Sequence, residues 1–260
     1  MMTSAPVAQR SLRVIQSIDE CVSPEERRRR LMVAVMSVLA WLVALVLAIP
    51  FWFVLPILFL GWIINWLLSE YHVRRLQALG TTASPEQFPE VAAAMAEVCR
   101  QFQLVAVPPV IILGHEQMNA FAIRFARKKV VVLLSKTLEG VVDHPAELRF
   151  ILGHELGHIL LDFSWRGRFE IYKPAAYRAA REMTCDNCGC AAAGELPAAK
   201  HALKRLVAGN LLVDRLNEDY LQAEADHLYS GFTGWLLRRY LTYPPLGRRL
   251  QGVTEFASAK

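Results

Sequence analysis

The 260-residue chain contains 54% apolar and 20% charged residues, whereas soluble domains average about 45–50% and about 25%. The apolar excess is concentrated between Leu31 and Leu68, where 38 consecutive positions hold no Asp, Glu, Lys, Arg or His. This composition excludes a disordered chain, a collagen and a small disulfide scaffold, and it argues against a purely soluble protein.

The net charge of +5 does not indicate nucleic-acid binding once the basic residues are located. Four arginines, Arg27 to Arg30, stand directly before the apolar block, and a basic run beside an apolar segment is a membrane topology signal. No glycine-rich phosphate loop, zinc finger or RNA-binding motif accompanies them, so we expect no nucleic-acid partner. The five cysteines form an odd set with three inside six residues, which favours reduced thiols in the cytosol.

The apolar block is long enough for two membrane-spanning helices. Its two halves, divided at Pro50, contain 19 and 18 residues, and each just crosses a hydrocarbon core of about 30 Å. Pro50 and Pro56 fall where a helix must break, so the sequence predicts a transmembrane helical hairpin over residues 31–69. Arg74 and Arg75 add positive charge after the block, which places both ends of the hairpin in the cytoplasm.

Two other interpretations of the block stay open. A cleaved signal peptide would need a charged region of 30 residues and an apolar region about twice the usual length. A re-entrant hairpin would enter the bilayer without crossing it. The two-span hairpin instead predicts a multi-pass protein of the cell (inner) membrane, with the lipid bilayer as a partner and the downstream domain facing the cytoplasm.

The rest of the chain divides into three regions of different composition. Residues 1–30 are polar and are expected to lie on the membrane surface or to fray, as a cytoplasmic N-terminal segment. Residues 70–87 have the composition of a linker. Residues 88–260 are expected to form a mostly helical α+β domain with a small sheet, beginning with an amphipathic helix over 88–103. The predicted strands of this domain are Val110–Leu113, 120–124 and 130–134.

His154-Glu155-Leu156-Gly157-His158 matches the pattern H-E-x-x-H, whose chemistry requires a helix. Residues at i and i+4 share one helix face, so His154 and His158 can bind one zinc ion while Glu155 takes a proton from the metal-bound water. Asp143 is placed to cap this helix, and Pro145 suits its first turn. The pattern also arises by chance in about one chain in a hundred of this length, so a third ligand is needed.

A glutamate downstream supplies that ligand. A catalytic zinc ion takes three protein ligands and leaves one position for water. Glu182 and Asp186 lie one turn apart on a helical stretch, so Glu182 can be the third ligand. Asp186 can then accept the N–H of a ligating histidine and fix its tautomer.

At this point the sequence resembles the membrane-associated HtpX and CAAX-prenyl-protease family of gluzincin zinc metallopeptidases. Besides the zinc helix, Glu182-Met183-Thr184-Cys185-Asp186 resembles the family's E-x-x-A-D. Asn119-Ala120-Phe121-Ala122 resembles its N-A-F-A, and Tyr243-Pro244-Pro245-Leu246 with Arg249 resembles its H-P-P-L-x-x-R. The resemblance covers residues 88–252 and implies a zincin-like domain with one zinc ion per chain.

The resemblance also implies roles for the two outer segments. Residues Asn119, Ala120, Phe121 and Ala122 would border the cleft and pair with the substrate backbone as an added strand. Tyr243 stands where the family has histidine, and its hydroxyl would donate to the oxyanion. The preceding hairpin suits the HtpX-like branch, although members of that branch usually carry further membrane helices before the third ligand.

The sequence thus predicts a membrane-anchored zinc endopeptidase that acts on membrane-associated or misfolded proteins. The rival is a catalytically silent, membrane-tethered zinc-binding scaffold, which only the tyrosine at 243 favours. A prenyl-protein protease has little support, because two spans cannot enclose a membrane chamber. The sequence does not predict an oligomeric state.

Four further polar residues near these motifs receive structural interpretations. Cys185, Cys188 and Cys190 are predicted to pack on the helix of Glu182 rather than to bind a second metal, because no second cysteine pair completes a tetrahedron. Asp162 lies one turn past His158 and could support it, but we expect a solvated carboxylate at the helix end.

Overall fold

A computed structural model describes residues 14–125 and 128–259; residues 1–13 of the predicted N-terminal segment lie outside the described residues. This part of the chain is mostly helical with one mixed four-stranded sheet, which agrees with the predicted α+β class. Its strands are β1 (Thr81–Thr82), β2 (Val110–Leu113), β3 (Ala120–Phe125) and β4 (Lys128–Leu134). Its α-helices are α1 (Pro24–Ala48), α2 (Leu55–Leu67), α3 (Ser69–Leu79), α4 (Pro89–Gln101), α5 (Ser135–Val141), α6 (Pro145–Leu161), α7 (Trp165–Phe169), α8 (Ala175–Ala193), α9 (Leu196–Ala208), α10 (Glu218–Leu228), α11 (Gly231–Tyr240) and α12 (Leu246–Ser258).

The apolar block forms one long helix followed by a bent pair. The hydroxyl of Ser23 caps α1 by accepting from the backbone N–H of Glu26 at 3.3 Å, so the arginine run lies inside the helix that continues into the apolar block. α1 is long and apolar enough to cross a membrane, whereas α2 and α3 reach that length only as one span bent by 41°. An N-terminal apolar helix is weak evidence for membrane association, and the two-span hairpin stays a prediction.

The described part of the N-terminal segment packs against the helical domain. Ile15 and Cys21 are 2% and 0% exposed. The side-chain amide of Asn187 donates to the Cys21 carbonyl at 2.9 Å, and the Ser23 N–H donates to Thr184 Oγ1 at 3.0 Å. The prediction of a surface-lying or frayed segment is therefore wrong for these residues, because their apolar side chains cover α8 and the domain core.

The segment predicted as a linker is ordered. Residues 69–79 form α3, whose Val73 packs under the sheet against Ile111 and Val132. β1 pairs antiparallel with β2, and a Cβ at Gly80 would clash with the carbonyl oxygen of Ile112. The glycine and threonine run that resembles a linker instead permits this close approach of the chain to the sheet.

The sheet has the order β1-β2-β4-β3, with β2 and β4 parallel and β3 antiparallel to β4. The three strands predicted from the sequence agree with β2, β3 and β4 to within two residues. β3 is an edge strand of this sheet. Alternate residues of β3 face opposite sides: Ala120 and Ala122 join the main core near α6, whereas Phe121 and Ile123 pack with α3.

Helices α6 and α8 form the centre of the helical domain and approach each other closely. A Cβ at Gly157 of α6 would lie only 3.1 Å from Cys185 Sγ and 3.3 Å from Cys188 Sγ of α8. Because α6 carries glycine at this point, α8 packs directly against the face that bears the two histidines. The three cysteines of α8 are buried free thiols, in agreement with the predicted packing role.

The start of α6 differs in part from the prediction. Pro145 is its first residue, as expected. The capping position belongs to His144, which makes no side-chain cap hydrogen bond, so Asp143 is not the cap. Glu147 in the first turn is buried, and it accepts from Arg205 Nε of α9 at 2.8 Å. A tertiary ion pair therefore anchors this end of the helix.

Candidate metal centre

α6 and α8 bring the three predicted metal ligands together. His154 and His158 lie one turn apart on the face of α6 that meets α8, with ring centroids 5.1 Å apart. Glu182 of α8 reaches both rings: its two carboxylate oxygens lie 3.5 Å from His154 Nε2 and 3.5 Å from His158 Nε2. One ligand atom from each of the three side chains lies within 4.8 Å of the others.

The chemistry of these donors fits a zinc ion. Nδ1 of His154 bonds to Asp186 and Nδ1 of His158 bonds to Asp162, each at 2.9 Å. An ionised carboxylate only accepts, so each Nδ1 carries the proton and each Nε2 is left to bind a cation. Oε2 of Glu182 is buried without a hydrogen-bond partner among the described residues. Two imidazole nitrogens and a carboxylate that converge in this way could bind a metal ion, and they are donors that zinc takes in proteins.

The electrostatics of the site also suit a cation. Burial lowers the pKa of His154, but the hydrogen bond to Asp186 and the nearby carboxylates of Glu182 and Glu155 raise it to about 10. The surrounding carboxylates therefore favour positive charge at the ring, whether a proton or a metal ion supplies it.

Asp186, the predicted support of a histidine, is held by the C-terminal helix. It is 1% exposed, and Arg249 of α12 donates to both of its oxygens, at 2.7 Å from Nε and 2.6 Å from the terminal nitrogen. Burial alone would raise the pKa of Asp186, but Arg249 and His154 lower it to about 2. The sequence marked Arg249 only as part of a motif, whereas the structure shows what it binds.

Asp162 supports His158, and the prediction of a solvated carboxylate is wrong. Lys173 and Arg181 each donate to its Oδ1 at 3.0 Å. Burial favours the neutral acid, but the hydrogen bond from His158 and these two cations hold the pKa of Asp162 well below its usual range. Asp162 therefore stays charged beside the histidine.

Arg181 connects this support to the first helix. It is 5% exposed, and its Nε lies 3.1 Å from a carboxylate oxygen of Glu26, which is fully buried in α1. It also donates to the hydroxyl of Tyr177 at 2.6 Å. The sequence offered no signal for Glu26, because it is far from Arg181 along the chain and sits inside an ordinary helix-start pattern.

The predicted base lies beside the metal ligands. Glu155 is 6% exposed, and burial raises its pKa, although the backbone N–H of Ala122 donates to it. Tyr243 is 58% exposed at the side of the cleft. Partial burial and the charge of Glu182 raise the pKa of Tyr243, so its hydroxyl stays protonated.

A cleft of about 1000 Å³ joins these residues. It is bordered by β3 on one side and α6 on the other. The predicted strand segment, the two histidines, the base and the tyrosine all line it. These lining residues are Asn119, Ala120, Phe121, Ala122, His154, Glu155, His158 and Tyr243. Among the described residues, the histidine and glutamate trio is the one His, Cys, Asp or Glu group whose ligand atoms converge in this way.

Comparison with known proteins supports a metallopeptidase. Residues 85–166 match the model of Peptidase family M48, whose members are zinc metallopeptidases. The matched range runs from just before α4 into the start of α7, so it includes both histidines and ends before Glu182. The match does not separate the HtpX-like branch from the prenyl-protease branch. No curated protein and no solved structure matches the chain.

Proposed function

We propose that this protein is a membrane-anchored zinc metalloendopeptidase that cleaves membrane-associated or misfolded proteins. The observation that carries the proposal is the convergence of His154, His158 and Glu182, with a carboxylate behind each histidine and Glu155 beside them. A scaffold that merely folds around zinc would not need a buried carboxylate next to the ligands and an open cleft above them.

Each side chain of the site has a step that it can perform. His154, His158 and Glu182 would hold the zinc ion, which when bound supplies Lewis acidity for activating water and polarising the scissile carbonyl. Glu155 takes a proton from the attacking water and delivers it to the leaving amine. Its buried position raises its pKa, which suits a group that must hold a proton between these two transfers.

The cleft wall provides for the peptide. β3 is an edge strand, so a substrate in extended form can pair with Asn119, Ala120, Phe121 and Ala122 as an added strand. Tyr243 borders the same cleft and keeps its hydroxyl proton, so it can donate to the oxyanion that forms at the attacked carbonyl.

Two features favour action at the bilayer. Along α1, apolar side chains such as Leu31 and Leu45 are 75% and 65% exposed. Phe169 and Ile171, which follow the cleft residue Arg168, are also exposed, and Trp41 of α1 donates to the Phe169 carbonyl at 3.1 Å. With two spans and basic flanks, the protein is a multi-pass inner-membrane protein whose cleft faces the cytoplasm, as in HtpX-like protein quality control.

Metal analysis of variants tests the chemistry. The full chain purified in detergent should hold one zinc ion. Glu155→Gln should keep the metal and lose nearly all cleavage of casein, whereas Glu182→Ala and His158→Ala should lose the metal. Glu139→Gln, on an exposed glutamate, is the matched control for both assays. A fully loaded Glu182→Ala would refute the ligand assignment, and a loaded but inactive wild type would favour the silent scaffold.

Tyr243 can be tested separately from the metal. Tyr243→Phe should lower kcat by about 10²-fold while KM and zinc content stay unchanged, because the hydrogen bond forms only in the transition state. Tyr240→Phe, an exposed tyrosine outside the cleft, is the control. Wild-type kcat in Tyr243→Phe would assign the ring to packing alone.

Reporter fusions test the topology. Fusions at Ala5 and at Lys260 should both behave as cytoplasmic, and a fusion near Pro50 should behave as external, because basic residues flank both ends of the apolar block. An external C-terminal reporter would overturn the two-span topology and the compartment inferred from it.

A further inference from the structure

Three cations meet at one end of the cleft. Arg124 on β3 and Lys129 on β4 are directly opposite in the strand pairing. Burial, and then the nearby charge of Arg168 on α7, lower the pKa values of both side chains. Arg124 and Arg168 line the cleft that also contains His158.

No carboxylate among the described residues forms an ion pair with these three cations. Neighbouring basic residues are paired: Lys128 lies 3.1 Å from Glu70, and Lys173 lies 3.0 Å from Asp162. Like charges that face each other across two strands are destabilising. A bound anion would remove this repulsion, so the arrangement has the properties of a binding site for negative charge.

The position of Arg124 relates this site to the path of the substrate. Ala122 and Arg124 are two residues apart on β3, so both face α6 and their Cα atoms are about 7 Å apart along the strand. The backbone of Ala122 is bonded to the base Glu155, and the Arg124 guanidinium lies over the ring of Phe163, 6.0 Å from its centroid. An extended peptide paired with β3 would pass the base first and the cations two or three residues later.

The other end of the cleft has a different character. Its lining there is apolar or neutral, and it is built from the start of β3, the middle of α6 and the end of α9. These residues are Met118, Asn119, Ile151, Leu206 and Val207. Among the described residues that line the cleft, the cations without an ion pair therefore lie at one end only, because Lys173 and Arg249 are paired with Asp162 and Asp186.

We propose that Arg124, Lys129 and Arg168 form a cationic subsite that binds an acidic side chain of the peptide substrate, about two or three residues from the scissile bond and on one side only. This inference rests on the proposed peptidase function. A lipid phosphate has the same charge, but Arg124 and Arg168 line the cleft beside His158, which favours the peptide.

Peptide binding to the zinc-loaded Glu155→Gln protein tests the subsite without requiring turnover. The probes are fluorescent decapeptides in which one glutamate, or glutamine as its neutral match, is moved along an otherwise uncharged sequence. We expect the glutamate to tighten binding by about tenfold at one or two adjacent positions, the size of a charge-assisted hydrogen bond. Adding Arg124→Gln and Arg168→Gln should abolish the difference.

Lys128→Gln is the matched control, because this lysine lies on the same hairpin, is paired with Glu70 and is not among the residues that line the cleft. It should leave the preference for glutamate unchanged. Equal binding of the glutamate and glutamine peptides would overturn the subsite. The subsite would also be overturned if the double variant kept the preference for glutamate but no longer retained anionic phospholipid through purification. The cations would then bind membrane lipid and not the peptide.

The outcomes separate this inference from the proposed function. Preference for glutamate in binding, with no cleavage by the wild type, would sustain the subsite and refute the endopeptidase. Cleavage of casein, together with equal binding of the glutamate and glutamine peptides, would sustain the endopeptidase and refute the subsite.

Discussion

The two histidines make the same hydrogen bond, 2.9 Å from Nδ1 to a carboxylate. We call each carboxylate, together with the residues that hold it, the support of its histidine, and the two supports differ. Behind His154, Asp186 is buried and clamped by Arg249, so this support lies within the helical domain. Behind His158, Asp162 is partly exposed and is anchored by Lys173 and by Arg181, and Arg181 connects it to α1. One support is compact, and the other extends to the first helix of the chain.

The longer support includes α1, so the helix that carries the apolar block also contributes contacts to the helical domain. Glu26 is buried in its first turn and binds Arg181, which in turn binds Asp162. Ser37, about three turns further on, accepts the N–H of Tyr172 at 3.2 Å. A buried charge is costly unless it is paired, so docking of α1 and the charged state of Asp162 depend on each other. We therefore expect the position of the apolar helix to be coupled to one predicted metal ligand, His158.

The largest effect on stability is expected from removing the arginine that holds Asp186 in the compact support. Arg249→Met leaves Asp186 buried without the arginine that donates to both of its oxygens, which should lower the free energy of unfolding by about 3–5 kcal/mol. Urea unfolding of the full chain in detergent measures this loss. Arg248→Met is the matched control, because the neighbouring Arg248 pairs with the exposed Asp226. A loss no larger than that of the control would show that the clamp does not stabilise the fold.

Zinc affinity should rank the two supports. Asp186→Asn and Asp162→Asn each remove the charge behind one histidine, and each should weaken zinc binding by about 10- to 100-fold. We expect the larger loss for Asp186→Asn, because it also leaves Arg249 buried without a charge partner. Competition with a zinc chelator measures both constants. Equal losses would mean that the local hydrogen bond alone decides the affinity.

Glu26 offers a smaller but more specific test. Glu26→Gln should weaken zinc binding by about three- to fivefold through Arg181 and Asp162, whereas Glu25→Gln on the exposed side of the same turn should not. In double-mutant cycles, Glu26→Gln should couple to Asp162→Asn and add independently to Asp186→Asn. Coupling of equal size in both cycles would show that the two supports act as one.

The smallest effect concerns the middle of α1. Trp41→Phe removes the indole N–H that donates to the Phe169 carbonyl, and it should lower the free energy of unfolding by about 0.5–1 kcal/mol without changing zinc affinity. Trp62→Phe on α2, where the ring stacks on Phe59, is the control. A change in zinc affinity with Trp41→Phe would show that the longer support extends beyond the first turn of α1.

Local sequence determined the elements that carry the chemistry. The i, i+4 spacing placed His154 and His158 on one helix face, and a short apolar run predicted β3 to within one residue of its end. The one-turn spacing of Glu182 and Asp186 likewise predicted that both would face the two histidines. These features follow from the period of a helix or from a local run of residues, so a single sequence is enough to predict them.

Tertiary structure decided the supports and the role of the N-terminal segment. Asp162 was expected in solvent because it lies at the end of its helix, and Glu26 resembled an ordinary residue of a helix start. Whether a carboxylate is solvated or paired depends on which distant cation the fold brings within about 4 Å and on how much water is excluded. The spacing of residues in the sequence gives neither the distance to such a cation nor the extent of water exclusion, because both arise only when α1, α6 and α8 pack together.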